Sequence, residues 1–124
     1  MSCRGVRGAT SVEENSERAI IAATWTLLEE MVSANGIMVE DIASVIFTAT
    51  SDLDTAYPAR AAREMGWNNT PLMCAREIDV PGSLPYCVRV LIIWNTDRSI
   101  DQVTHVYLGA ATALRPDLAG KEKR

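Results

Sequence analysis

The sequence predicts an α/β domain built on a mixed sheet, and three observations carry that prediction. Short β-branched runs alternate with helical patterns along the chain. One long stretch repeats its apolar residues at helical spacing. Gly and Pro punctuate the intervals between these segments.

Cys3 to Thr10 has the short, turn-bounded character of a first strand, weakened by Gly5 and Gly8. Asn15 or Ser16 can cap a helix running to about Ser33. Its stripe is Ile20, Ala23, Thr24, Leu27, Leu28, Met31 and Val32, and Gly36 is placed to stop it. Val39 to Ile42 adds one helical turn. Ala43 to Thr50 reads as a strand buried on both faces. After the polar loop Ser51 to Ala56, Pro58 opens a second helix, Pro58 to Met65, closed by Gly66. Thr70 to Glu77 and Pro85 to Asn95 read as two strands joined by the turn Pro81-Gly82-Ser83, and Thr104 to Leu108 as a last strand. The Ala-rich stretch that follows is ambiguous, and Arg115-Pro116-Asp117 breaks any helix there. The order β-α-β-α-β-β-β therefore occupies one domain, residues 1–118, with a loose tail over 119–124.

Composition narrows the function. Hydrophobic residues make up 48% of the 124, which suffices for one small core. Val90 to Trp94, as long as any uninterrupted apolar stretch in the chain, is far shorter than the ~20 residues of a membrane span. The arginines near the N-terminus have no apolar signal core behind them. Three cysteines, Cys3, Cys74 and Cys87, without CxxC spacing, favour free thiols in a reducing cytoplasm over a disulfide framework or a zinc site. A net charge of −4 argues against general nucleic-acid binding. Ten of the twelve cations are Arg, the side chain whose planar fork grips carboxylates bidentately. A codon preference explains that bias equally well, so placement has to decide.

Arg89 is the best placed. It lies in Val88-Arg89-Val90-Leu91-Ile92-Ile93-Trp94, a run expected to be buried, and alternation puts it on one face with Cys87 and Leu91. A buried guanidinium must meet an anion, either a carboxylate of the protein or a ligand. Arg4 and Arg7 differ by three along a strand and point to opposite faces. Arg60 and Arg63 share a helix face, where Glu64 can relieve Arg60. Cys74 and Glu77 are also three apart on a strand, so one pocket holds both only if the strand bends. A strand at a subunit boundary offers another answer, with Cys74 feeding one site and Glu77 its neighbour. His105 is the only histidine and has no nucleophile arranged with it by a recognisable motif; Tyr107, two residues on, shares its face.

The stretches RGVRGATSVE, SDLDTAYPARAARE, LMCAREIDVPGSLPYCVRVL and HVYL with LRPDL, in this order over nearly the whole chain, resemble chorismate mutases of the small AroH type. The resemblance implies a pseudo-barrel α/β fold assembled as a homotrimer, with active sites in the clefts between subunits and no cofactor or metal. It implies chorismate as substrate and prephenate as product, in phenylalanine and tyrosine biosynthesis. Position by position it places Arg7, Arg63, Arg89 and Arg115 as pocket arginines, Glu77 as the carboxylate, Cys74 and Tyr107 beside them, and Leu114 next to Arg115. Tyr57 and Arg60 match positions at the cleft entrance, and Met73 stands where smaller polar residues also occur.

The chemistry explains the residues that are missing. A unimolecular pericyclic shift moves no proton and forms no covalent adduct. The protein has to hold a dicarboxylate in its compact diaxial conformer, a task for Arg7, Tyr107, Arg63 and Arg115. It also has to stabilise charge separation as the ether bond breaks, with Arg89 against the ether oxygen and Glu77 near the ring hydroxyl. Two rival readings stand beside this one: a trimeric hydrolase of the imine-deaminase kind, and a non-catalytic trimer that binds a metabolite of the aromatic pathway.

Overall fold

The computed structural model describes residues 2–114. The element order is β1 (Cys3–Ser11), α1 (Glu17–Asn35), β2 (Ile42–Ala49), α2 (Ala59–Glu64), β3 (Leu72–Arg76), β4 (Cys87–Asn95) and β5 (Val106–Leu108), with short 3₁₀ turns at Val39–Asp41, Ile100–Gln102 and Gly109–Ala113. The expected order is observed, and the Ala-rich stretch resolves as the last of these turns. Arg115-Pro116-Asp117 and the tail 119–124 lie outside the described residues.

Helix α1 begins where Ser16 accepts the Ala19 N–H on its hydroxyl at 3.2 Å. It ends where Gly36 turns left-handed, at φ 66°. Ile20, Thr24, Leu27, Leu28, Met31 and Asn35 form its buried side. Asn35 is a buried amide that the apolar stripe did not announce. Its side chain donates to the carbonyls of Met31 and Thr104 and accepts the Thr104 N–H, tying the helix end to the approach of β5.

The five strands form one mixed sheet in the order β3-β2-β4-β1-β5. β4 lies at the centre, antiparallel to both β1 and β2, while β2-β3 and β1-β5 are parallel. β3 and β4 are therefore not a hairpin, since β2 lies between them. Both helices pack on one face, against Val6, Val45, Phe47, Val88, Val90 and Ile92. Gly8 is on that face, and its lack of a side chain has a packing cause: a Cβ there would stand 2.4 Å from Met31 Sδ.

On the other face the cover is thin. β2 was expected to be buried on both sides, yet Val45 and Phe47 are buried while Ile46 and Thr48, pointing the other way, are only partly so. β4 shows the same asymmetry: Val88, Val90 and Ile92 are buried, and the Arg89 side chain keeps 42% of its exposure. The physical reason is that a single layer of helices covers only one face of a sheet. A small second cluster of Ala9, Cys87, Tyr107 and Ala111, with Leu84 and Leu114 against it, closes the β1-β5 end of the open face.

Candidate active site

The open face collects the charge. β-strand alternation and register put Arg7 and Ala9 of β1, Arg89 of β4, Thr48 of β2 and Tyr107 of β5 on it. Ala9 is the ladder partner of Arg89 on one side and of Tyr107 on the other. Ala9 itself is covered, in the small cluster with Cys87, Tyr107 and Ala111. Arg89 Nε and Tyr107 Oη are each buried and lack a hydrogen-bond partner among the described residues. Buried donors are rarely left unmatched, so two of them around one alanine mark a place for an acceptor.

Glu77 reaches the same face from just beyond β3. Its backbone N–H donates to the Ala49 carbonyl at 3.0 Å, extending the β2-β3 ladder by one residue. Its Oε2 accepts the Thr48 hydroxyl and lies 3.6 Å from Arg89 Nε. That separation is an ion pair but too long for a hydrogen bond, so Arg89 stays available to a further anion. Arg7 is exposed, and its backbone N–H donates to His105 Nδ1 at 3.0 Å, which leaves the ring proton on Nε2. His105 is thus a strand-approach residue with an engaged ring. Arg4, by contrast, donates to the Arg98 carbonyl at 2.9 Å.

The entry to β4 is fixed by a network that sequence reasoning missed. The Asp52 carboxylate accepts the Tyr86 N–H at 3.0 and 3.2 Å and the Thr50 hydroxyl at 2.5 Å. Thr50 Oγ1 in turn accepts the Cys87 N–H at 3.0 Å. Tyr86, held in this way, has a φ of 48°, an uncommon backbone state for a bulky residue. Cys87 follows it into the small apolar cluster, where burial pushes its thiol above the ordinary value against the opposing pull of Arg89.

A second group lies elsewhere. Tyr57, Ala59, Arg63, Leu72 and Cys74 line a cleft of about 300 Å³ between α2 and the edge strand β3. Cys74 pairs in register with buried Phe47, so it points to the helix-covered face. Its thiol is raised by burial, opposed by a hydrogen bond from the Ala59 backbone and by the Arg63 charge. Arg60 lines a neighbouring cleft and is bound at 3.0 Å by Glu17 and at 2.9 Å by Glu64, the relief expected of it. Met73 sits in register with Ile46, facing away from Cys74, and is 60% exposed.

One chain thus brings Arg7, Glu77, Arg89 and Tyr107 together on the open face, with Leu114 in the cluster that closes its β1-β5 end. It gathers Tyr57, Arg60, Arg63 and Cys74 around α2, and does not join the two groups. Arg115 lies outside the described residues. Residues 3–118 match the family described as chorismate mutase type I. The chain belongs to that family. The chorismate mutase AroH of Thermus thermophilus is 56% identical over 116 residues, 93% of this chain and 95% of that one. The AroH enzyme of Bacillus subtilis (strain 168) is 43% identical over 120 residues, 96% of this chain and 94% of that one. The solved structure of a chorismate mutase from Clostridium thermocellum superposes with a TM-score of 0.88 at 52% identity, covering 89% of this chain and 98% of that chain. The hydrolase and metabolite-binding readings find no support in these matches.

Proposed function

We propose that this chorismate mutase works as a homotrimer whose clefts each take one group of residues from each of two copies. Arg7, Glu77, Arg89 and Tyr107, with Leu114 and Arg115, form one wall; Tyr57, Arg60, Arg63, Met73 and Cys74 form the other. The observation that carries the reading is the pair of orphaned donors, Arg89 Nε and Tyr107 Oη, on either side of Ala9. Two unmatched donors on neighbouring strands suit an anionic ligand such as the chorismate dicarboxylate.

The exposed apolar side chains on and just beyond edge strand β3 support the second copy. Met73 is 60%, Ile78 83% and Val80 57% exposed, a patch that a monomer has reason to cover.

In the assembled cleft, Arg7, Arg63, Arg115 and Tyr107 hold the two carboxylates so that the reacting carbons meet. Arg89 places positive charge where the breaking ether bond leaves negative charge on oxygen. Glu77 contacts the ring hydroxyl and favours the positive charge that develops on the ring. Cys74 contacts the ring edge as a neutral thiol, and Tyr57 and Arg60 line the mouth. These steps need neither a cofactor nor a proton transfer. Free Cys3, Cys74 and Cys87 support a reducing, cytoplasmic setting.

The test is direct. Purified chain is given chorismate, the loss of its absorbance is followed, and the product and the mass of the active species are determined. Prephenate formed by a trimer is expected. Release of ammonia or pyruvate, or activity confined to a monomer, would overturn the reading.

A further inference from the structure

We propose that Thr48 is a positioning residue for the rearrangement, holding the Glu77 carboxylate in place beside Arg89. The inference rests on the role proposed above for Glu77 and adds to it the group that aims that side chain.

Thr48 occupies the middle of the open face. It is the register partner of Arg89 on one side and of Ala75 on the other. Ala75 contributes only a methyl group there, so the space above β3 is left to Glu77, two residues further along and on the same face. The Thr48 hydroxyl donates to Glu77 Oε2, the same oxygen that faces Arg89 Nε. Neither contact uses Oε1. One carboxylate oxygen is thereby fixed from two neighbouring strands, and the other takes part in neither contact.

Strand propensity alone does not ask for this hydroxyl. Valine has the same β-branched shape and is at least as good a strand residue. It has no proton to give, however, and would leave Glu77 held by a single ion pair at 3.6 Å in a side chain with three rotatable bonds. A neutral donor also suits the position better than a second cation, since it restrains the carboxylate without cancelling the charge that the reaction uses.

The test is a set of kinetic measurements on the full chain with chorismate: the parent, Thr48→Val, Thr48→Ser, Glu77→Ala and the double variant Thr48→Val with Glu77→Ala. Thermal melting and native mass are measured for each. Thr48→Val should lower kcat by roughly tenfold, the scale of one hydrogen bond to a charged group, while KM moves much less. Thr48→Ser, which restores the donor, should recover most of the loss. In the Glu77→Ala background Thr48→Val should cost almost nothing more, because the group it positions is gone. A merely structural threonine would fail that cycle, costing the same with or without Glu77. If Thr48→Val does not fold, Thr48→Ala takes its place in the same cycle. Unchanged kcat in Thr48→Val, no recovery in Thr48→Ser, or an undiminished loss in the double variant would each overturn the proposal. Unchanged kcat in Glu77→Ala would instead sink the role of Glu77 itself, and Thr48 with it.

Discussion

Cys74 and Glu77, three residues apart at the end of one edge strand, present their side chains to opposite faces of the sheet. Cys74 lies beside Phe47 and the α2 cleft, and Glu77 beside Thr48 and Arg89. No bend brings them together within one chain, so a cleft that uses both has to draw on two copies. Mixing inactive Arg89→Ala with inactive Arg63→Ala, after unfolding and joint refolding, should restore activity. With random assembly of equal amounts, roughly a quarter of the clefts would have both walls intact. Activity no higher than that of the separate variants would place Arg63 and Arg89 in the same wall.

Turnover should vary little between about pH 6 and 9, since guanidinium groups and ordinary carboxylates titrate outside that window. Chelators should leave the rate unchanged. Buried Cys87 and partly buried Cys74 bear on stability as well. Cys74 and Cys87 are both raised by burial, so the folded chain keeps protons that the unfolded chain releases. Stability should therefore fall as pH rises past the ordinary thiol range, and be indifferent to these groups below it. Melting temperatures from about pH 7 to 10, compared with those of a Cys87→Ala variant, check the sign.

Gly8→Ala should destabilise the chain by about 1–3 kcal/mol through overpacking. The added methyl would meet Met31 Sδ at 2.4 Å and Leu27 Cδ1 at 3.1 Å, both on fully buried side chains. A denaturation midpoint lowered with an unchanged slope is the expected signature. Gly5→Ala is the control, because its nearest neighbour, Leu91 Cδ1, is 3.4 Å away.

The elements were legible in the sequence because each has a local cause. Ser16 caps, Gly36 turns left-handed, and Pro58 and Gly66 bracket α2. The opposition of Cys74 and Glu77 followed from strand alternation alone. The sheet order did not, because a turn such as Pro81-Gly82-Ser83 joins neighbours in sequence and says nothing about the strand inserted between them. The exposure of Arg89 was missed for a related reason: seven residues dominated by apolar side chains look alike whether one face is covered or two. Thr48 and Asp52 gave no signal either. A threonine in a strand reads as propensity and an aspartate in a loop as solvation, and their partners, Glu77 and Tyr86, are 29 and 34 residues away.

The role of Arg89 is the centre of the account, and one measurement tests it most directly: the turnover of Arg89→Ala in a preparation whose melting temperature and native mass match those of the parent. Negative charge on the ether oxygen exists mainly in the transition state, so a cation aimed there raises kcat more than it tightens binding. Losing one neutral oxyanion donor costs about 10²–10³, and a charged donor in a closed cleft should cost at least as much. We expect kcat to fall by roughly 10³ or more with a far smaller change in KM, and Arg89→Lys to remain poor because an ammonium lacks the planar fork. A folded Arg89→Ala chain that keeps kcat within a few-fold of the parent would contradict the account.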